Sequence, residues 1–416
     1  MEKYSPRSQP FLPDGIIIDI LSRLPVKSLH RFKSVSTQFL HWISTDPQIL
    51  NLHATRRRQR RRIAVLVTKS PPSSVALRSL SANTLDDPTI INLCNDFKYS
   101  YPSTRIWNSC NGLVLISISD KSFFAWNPST RRKQRVGFSP SFSLFASARR
   151  YCLLGLGFDE ISNGHKVIAA NQDNTGDSCS LFSSSLGGTT AGRYSKKIVD
   201  FPYRICQDTP GSNVGGNLYW MVVGKTCDDP VIIGFDFGAE VFIETTQPRW
   251  EPGVLQYGLG VLGELLCVVC HGEESVEVLG LKKDGTVESW ERLFIVPYDM
   301  GGMQFRRLTP LCFTEDGEVV MEIDRKRLVV CNLDEKSYRW LSDIPPNETE
   351  EYQETLQTMQ GLRLNENGFK VVVYVESLVP PFKAPEAFVN GLVSILCYFF
   401  SLFQSFVESY ASILLH

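Results

Sequence analysis

A chain of 416 residues leaves room for two or three domains of about 150 residues each, or for one small module beside one large domain. With 43% hydrophobic and 21% charged residues it can fill a core, and nothing in the totals marks disorder. The net charge of −1 hides an asymmetry, because residues 1–62 hold twelve Lys/Arg against four acids while the rest of the chain holds 31 against 40. A uniformly basic nucleic-acid binder is excluded, whereas a basic amino-terminal module is not.

Met1 to Pro10 is polar and has no apolar run, so no secretory leader is expected there. In Phe11-Leu12-Pro13-Asp14-Gly15-Ile16, Asp14 reads as the N-cap of an apolar helix that Pro25 interrupts. A second helical segment, Val26 to Val35, spaces Leu29, Phe32 and Val35 for one face. A third puts Phe39, Trp42 and Ile43 on one face and stops near Asp46-Pro47. About forty residues cannot build a deep core alone, so this module is expected to bury apolar surface against something else. The Arg-rich run Arg56 to Arg62 reads as a solvated linker helix; the sharper alternative is a nuclear-import or nucleic-acid patch.

From Ile63 onward the texture changes to short β-rich runs between Gly, Asn, Asp, Ser and Pro. They include Ile63–Val67, Gly112–Ile118, Phe123–Trp126, Leu153–Phe158, Lys166–Ala170, Leu218–Val223 and Val231–Phe235. Leu265–Val269, Val276–Leu281, Val319–Ile323, Leu328–Cys331 and Lys370–Val375 follow, and the array predicts an all-β domain. Trp126-Asn127-Pro128, Phe235-Asp236-Phe237, Leu279-Gly280-Leu281 and Cys331-Asn332-Leu333 read as strand ends before polar turns. Gly-bearing strand pairs precede them. The unit recurs about every fifty residues, the length of a four-stranded kelch-like blade, so residues 63–380 accommodate about six blades. Lys370–Val375 is the strand expected to complete the first blade and close the ring.

Catalytic motifs are sparse. Gly258, Gly260 and Gly263 match G-x-G-x-x-G, but the strand-like Glu264 to Val269 follows where a dinucleotide site needs a helix. The eleven cysteines lack framework spacing, which fits reduced thiols and a cytoplasmic or nuclear setting. Cys267-Val-Val-Cys270 lies in a β-branched run, where i and i+3 point to opposite faces, so core packing is its expected role. No His pair, HExxH or GxSxG occurs, and the Tyr and His ligands that copper chemistry in a kelch-type ring requires have no supporting spacing. No metal, cofactor or catalytic residue is expected. The carboxyl end differs from the rest: Ala387 to Val407 carry no charge, and Asn390, Ser394, Cys397, Ser401, Gln404, Glu408 and Ser412 form one polar stripe. An amphipathic helix over 384–416 is predicted, packed on the main domain or a partner, with a membrane anchor as the alternative.

Leu12-Pro13-Asp14 and the run Ile20-Leu21-Ser22-Arg23-Leu24-Pro25-Val26-Lys27-Ser28-Leu29-His30-Arg31-Phe32-Lys33-Ser34-Val35-Ser36 resemble a plant-type F-box. Ser109-Cys110-Asn111-Gly112-Leu113, Trp126-Asn127-Pro128-Ser129-Thr130-Arg131, Gly155-Leu156-Gly157-Phe158-Asp159, His165-Lys166-Val167 and Gly216-Asn217-Leu218-Tyr219-Trp220 resemble an F-box-associated interaction domain. So does the closing Tyr374-Val375-Glu376-Ser377-Leu378. The departures are small: Gly15 stands where the family usually has an acid, Phe39 where Trp is common, and Trp42 at a usual Leu position.

The resemblance implies an α+β multidomain chain: a three-helix F-box (8–52), an Arg-rich linker (53–62), a propeller-like substrate domain (63–380) and the tail helix. It implies a non-catalytic substrate receptor of a Skp1-cullin-F-box ubiquitin ligase, in which the F-box docks a Skp1-type adaptor and the ring presents a protein for degradation. Leu12, Pro13, Ile16, Ile20, Leu24, Pro25, Val26, Leu29 and Phe32 are the residues it assigns to the adaptor, with internal packing the alternative for each. The module's positive surplus would suit an acidic adaptor surface. Substrate contacts are expected on loops at one face of the ring, with Asn171–Gly192, Gln207–Gly215, Thr226–Pro230 and Tyr298–Arg307 as candidates.

Overall fold

The computed structural model describes residues 13–53, 61–92, 104–138, 142, 151–341 and 370–378, apart from short breaks within these stretches. Three helices come first: α1 (Asp14–Arg23), α2 (Val26–Phe32) and α3 (Thr37–Thr45). Asp14 is the first helical residue rather than the cap. Pro13 takes the cap position, and its carbonyl accepts from the Ile16 and Ile17 N–H groups at 2.9 and 3.2 Å. The Asp14 carboxylate then sits at the positive end of the helix dipole. Leu24 is extended, as the residue before a proline prefers to be, and it ends α1.

α2 is shorter than the Val26–Val35 segment expected. The Ser34 and Val35 N–H groups bond three residues back, to the Arg31 and Phe32 carbonyls at 3.2 and 3.0 Å, which tightens the end into a turn. Ser36 caps α3 by accepting from the Phe39 N–H at 3.1 Å. The helices close over Leu21, Val26, Leu29, Trp42, Ile43 and Ile49. One residue from the far end of the chain, Leu378, completes that cluster.

Twenty-nine strands follow among the described residues. β1 (Arg61–Val67), β2 (Ser74–Ser81), β3 (Thr84–Leu85) and β4 (Thr89–Asn92) belong to the first sheet. Arg61 and Arg62 thus stand in a strand, while Arg56 to Arg60 lie outside the described residues. β5 (Arg105–Cys110), β6 (Leu113–Ser119), β7 (Ser122–Asn127) and β8 (Arg132–Val136) form the second sheet. The third joins β9 (Cys152–Asp159), β10 (Gly164–Gln172), β11 (Ser178–Ser185) and β12 (Tyr194–Asp200). β13 (Tyr203–Arg204) opens the fourth sheet, and β14 (Thr209–Pro210) runs back parallel to β9 in the third. β15 (Ser212–Val214), β16 (Asn217–Gly224), β17 (Pro230–Asp236) and β18 (Val241–Glu244) complete the fourth.

The fifth sheet is β19 (Gln256–Leu262), β20 (Leu265–His271), β21 (Ser275–Asp284) and β22 (Val287–Pro297). β23 (Asp299–Met300) and β24 (Met303–Gln304) form a small ribbon before the last sheet. That sheet is β25 (Leu308–Phe313), β26 (Val319–Ile323), β27 (Arg327–Asn332) and β28 (Ser337–Trp340). Finally β29 (Lys370–Val375) returns to pair antiparallel with β1, in register from Arg61↔Val375 to Leu66↔Lys370. This is the ring closure expected of Lys370–Val375.

Neighbouring sheets meet mainly through their leading strands. β29 lies against β5, β5 against β9, β9 against β16, β15 and β16 against β19, β19 against β25, and β25 back against β29. A separate apolar cluster fills each junction. Leu154 and Val167 face the second sheet while their neighbours Leu153 and Ile168 face the fourth. Strands covered on both faces need apolar residues on both, so the sequence shows continuous apolar runs such as Leu113–Ile116 rather than alternation. The circuit of sheets is a β-propeller.

The turn motifs have a shared chemistry. At the ends of β7, β17 and β27, the side-chain oxygens of Asn127, Asp236 and Asn332 accept from N–H groups two and three residues on, at 2.7–3.1 Å. Leu279-Gly280-Leu281 is not part of this series. It lies inside β21, where Leu293 packs over Gly280. The Ser-rich stretch expected as a loop from Ser178 onward is instead β11, held on both sides by β10 and β12. The predicted tail helix over 384–416 lies outside the described residues. Among those that are described, no helix is long and apolar enough to cross a membrane.

The closing segment is sewn to the second sheet by side chains. The Ser109 hydroxyl donates to the Val373 carbonyl at 2.6 Å, the Asn127 amide to the Ser377 carbonyl at 3.0 Å, and the Ser377 hydroxyl to the Asn111 carbonyl at 3.2 Å. Gly112, at φ +81°, lets this segment pass: a Cβ there would run into the Ser377 side chain and lie 2.7 Å from the Val375 carbonyl oxygen. Gly112→Ala should therefore cost about 2–3 kcal/mol in urea unfolding, combining left-handed strain with a clash against backbone. Gly253→Ala, at φ +88° with open space around it, is expected to cost about 1 kcal/mol. Equal losses at the two positions would mean that the closing segment does not press on Gly112.

Candidate protein-docking surface

The helical module divides the residues assigned to the adaptor into two groups. Val26 and Leu29 are fully buried in its own core, and Leu24 is half-buried beside them. Pro13, Ile16 and Ile20 are exposed on α1, with Ile16 and Ile20 one turn apart at 48% and 45% exposure. Phe32 ends α2 at 36% exposure. Leu12 and Pro25 lie outside the described residues. Val35, placed by sequence spacing on the same helical face, is 63% exposed in the turn after α2. The module's own packing thus leaves several large aliphatic side chains in contact with solvent.

Beneath that surface the packing is aromatic and firm. Phe32 meets Phe39 edge-on at 6.2 Å between centroids, and Phe39 lies 5.8 Å from Trp42. The buried His53 ring bonds the Leu24 carbonyl at 3.1 Å, tying the module's end to the break after α1. Asp19 and Arg23 pair along α1 at 3.0 Å, an exposed i,i+4 contact of small energetic weight. Electrostatics at the back of α2 are less comfortable. Burial, with Arg132 of β8 adding repulsion, pushes the Lys33 ammonium down to about 8. Burial and then the charges of Lys33 and Arg132 also lower His30. The basic residues at the end of α2 therefore feel the like charge of Arg132 in the second sheet.

Motifs that hinted at enzymes take structural roles. Gly258 and Gly260 lie within β19, and Gly263 at φ +68° turns the chain directly into β20, so no helix begins there. Cys267 and Cys270 face different cores, and burial pushes both thiols up to about 12, away from nucleophile chemistry. Cys110 and His165 are likewise neutral in the interior, the thiol raised to about 12 and the imidazole lowered to about 4, chiefly by burial. Among the described residues no three His, Cys, Asp or Glu side chains are grouped to hold a metal ion.

Of the candidate substrate loops, Gln207–Gly215 carries β14 and β15, and Tyr298–Arg307 carries the β23–β24 ribbon. A feature that sequence reading missed is the Asn108 clamp between the second and third sheets. Its amide donates to the Leu156 carbonyl at 2.9 Å and its oxygen accepts from the Leu156 N–H at 2.8 Å. A polar residue directly after the apolar pair Ile106-Trp107 was the available signal.

Comparison with known proteins joins these two parts. An F-box domain model matches residues 11–49, and an F-box associated beta propeller domain model matches residues 72–381. The chain belongs to the plant F-box proteins that carry this propeller. It is 26% identical over 351 residues to the F-box protein CPR1 of Arabidopsis thaliana, covering 78% of this chain and 83% of that one. An F-box/kelch-repeat protein of the same plant is 27% identical over 346 residues, covering 80% and 89%. Among solved structures, an oligogalacturonate lyase from Vibrio parahaemolyticus gives a TM-score of 0.36 at 10% identity over 65% of this chain and 74% of that one. The F-box is thus the module that exposes Ile16, Ile20, Phe32 and Val35, and its back rests on the F-box-associated propeller.

The Lys33 shift makes that seam testable. An amine whose folded pKa is about 8, against an ordinary 10.5, binds fewer protons folded than unfolded between those values. Its penalty is fully present below pH 8 and fades as pH rises toward 10.5. Lys33→Met should raise the melting temperature at pH 7, and its advantage over the parent chain should shrink by pH 10. An advantage that is the same at both pH values would refute the assignment.

Proposed function

We propose that this chain is the substrate-recognition subunit of a Skp1-cullin-F-box type ubiquitin ligase. The F-box docks a Skp1-type adaptor, and the propeller holds a protein to be ubiquitinated and degraded. The observation that carries the reading is the exposed pair Ile16 and Ile20 on a module whose own core is already filled by Leu21, Val26, Leu29, Trp42, Ile43 and Ile49. The circuit of six inner strands supports a six-bladed ring as the holding element. The receptor performs no bond chemistry. It raises the local concentration of its target and fixes its orientation. Buried, neutral thiols fit a reducing cytoplasmic or nuclear setting.

Basic charge in the module supports an acidic partner, chiefly through association rate. Val26 and Leu29 then act through the shape of the module, while Pro13, Ile16, Ile20 and Phe32 supply contact. Replacing Ile16 and Ile20 together by Asp should weaken adaptor binding roughly 100-fold in calorimetry. The melting temperature should stay put, because both positions are exposed. Unchanged adaptor affinity in the double variant, or no binding by the parent chain, would remove this reading.

A further inference from the structure

The inner strands share one direction, so the ring has two unlike ends. β29 and β5 run side by side from Lys370 and Arg105 toward Ser377 and Asn111, tied by the Ser109–Val373 and Ser377–Asn111 bonds. β14 pairs parallel with β9, and farther along the Phe158 N–H donates to the Gly216 carbonyl at 3.0 Å. β19 and β25 share both ends as well. The His271 ring, on the cross-strand partner of Gln256, bonds the Leu308 backbone, and a Cβ at Gly263 would lie 3.6 Å from the Phe313 ring. The F-box, joined through Leu378, sits where these strands finish. There the turns that follow the inner strands expose Glu160, Glu264 and Asp316 and hold no Lys or Arg among the described residues. At the other end the charge reverses. Arg105 opens β5, Lys370 opens β29 and Arg306-Arg307 lead into β25, three neighbouring inner strands. Asp228, Asp229, Glu273 and Glu274 stand at this end too, but in the β16–β17 and β20–β21 turns, one strand farther from the axis.

The two arginines stand on a fixed turn. Asp324, at φ +52°, accepts from the Arg306 and Arg307 N–H groups through one carboxylate oxygen at 3.0 and 2.8 Å, and its own N–H donates to the Arg307 carbonyl at 2.9 Å. Arg306 is exposed and Arg307 half-buried, and neither guanidinium has an ion-pair partner among the described residues. Burial, then the charge of Arg307, lowers the His271 imidazole, so Arg307 lies close to that ring. On the other side of His271 is Leu255, 72% exposed, whose N–H donates to the His271 carbonyl at 2.7 Å.

We propose that this end of the ring holds the target protein by an acidic, extended segment, with its Asp or Glu carboxylates on Arg306 and Arg307 and an apolar side chain against Leu255. The chemistry is complementary. A half-buried guanidinium without a carboxylate of its own gains most from an arriving anion, and its planar fork accepts a carboxylate through two hydrogen bonds. The residues after position 62 hold 31 Lys/Arg against 40 acids, so most of the ring repels such a segment and the basic end steers it. The same polarity places the basic F-box at the end whose inner turns are acidic.

The assignment rests on the receptor reading above, and its test fails separately from that reading. The probe is a fluorescein-labelled peptide of six glutamates around one central leucine, titrated with the full chain by fluorescence anisotropy. Replacing Arg306 and Arg307 together by Gln should weaken its binding at least about tenfold. Arg135→Gln, an equal loss of charge on the outer strand β8, should leave the affinity unchanged. The double variant should melt with the parent chain, because Asp324 bonds the backbone of both positions and not their side chains. With a photo-crosslinking residue in place of the leucine, the peptide should label Leu255–Gln256 or Phe305–Leu308. A Skp1-type adaptor should bind parent and double variant alike and should not displace the peptide. Equal peptide affinity for parent and double variant, labelling of the F-box, or displacement by the adaptor overturns the proposal. A chain that binds the adaptor but not the peptide also overturns it and leaves the receptor reading standing. A chain that binds the peptide but not the adaptor keeps the acidic-segment site and removes the receptor reading.

Discussion

Everything in this molecule depends on one antiparallel pairing, between the strand at Arg61–Val67 and the strand at Lys370–Val375. Without it the first sheet loses its innermost strand, and the sheets at either end of the array present unpaired backbone and apolar faces to water. The residues after the pairing extend its influence. Tyr374 is buried against the second sheet, Ser377 and Asn127 exchange contact with the turn chemistry of that sheet, and Leu378 enters the helical core. Nine consecutive residues, Lys370 to Leu378, therefore join the start of the ring, its second sheet and the F-box. Closing so long a chain costs little more than closing a shorter one, since the entropy grows only with the logarithm of length. The cost falls on speed, because no local contact can stand in for this one.

The closure also sets how the two working parts are held. Leu378 shares a core with Leu21, Val26, Leu29, Trp42, Ile43 and Ile49, and fully burying one leucine contributes about 1.5–3 kcal/mol. Opposing it, Lys33 and Arg132 crowd like charges at the same seam. Burial first and Arg132 second push the Lys33 ammonium down to about 8, so the charge is disfavoured where the helical module meets the second sheet. The contact between the two parts thus runs through the segment that follows the last strand of the ring.

Much of the ring was legible because its inner strands are buried on both faces. Runs such as Leu153–Phe158, Val319–Met321 and Val371–Val375 stand out in sequence as unbroken stretches without a charge, and all lie in strands. Outer strands were harder to see. Tyr194–Asp200 and Val287–Pro297 have largely exposed side chains, so charge and Ser interrupt them and hide the β pattern. Ser178–Ser185 was hidden for another reason: serines pack well between closely spaced sheets, yet read as loop. On the docking surface, spacing alone could not tell Leu29 from Phe32. Both recur at helical intervals, but α2 ends at Phe32, so one turns inward to Leu378 and the other outward.

That last distinction carries the physical logic of the F-box. A module of about forty residues has too little interior to bury every apolar side chain, so some must be lent to a neighbour. The inner set, Leu21, Val26 and Leu29, is lent to the propeller through Leu378; the outer set, Ile16, Ile20, Phe32 and Val35, stays exposed. Because the inner set is completed by a residue beyond the closing strand, folding of the F-box and closure of the ring are thermodynamically linked. An unclosed ring would leave the helical core short of a leucine and loosen the scaffold that presents Ile16 and Ile20. The exposure of Ile16 and Ile20 is in this way tied to completion of the propeller, although neither residue belongs to it.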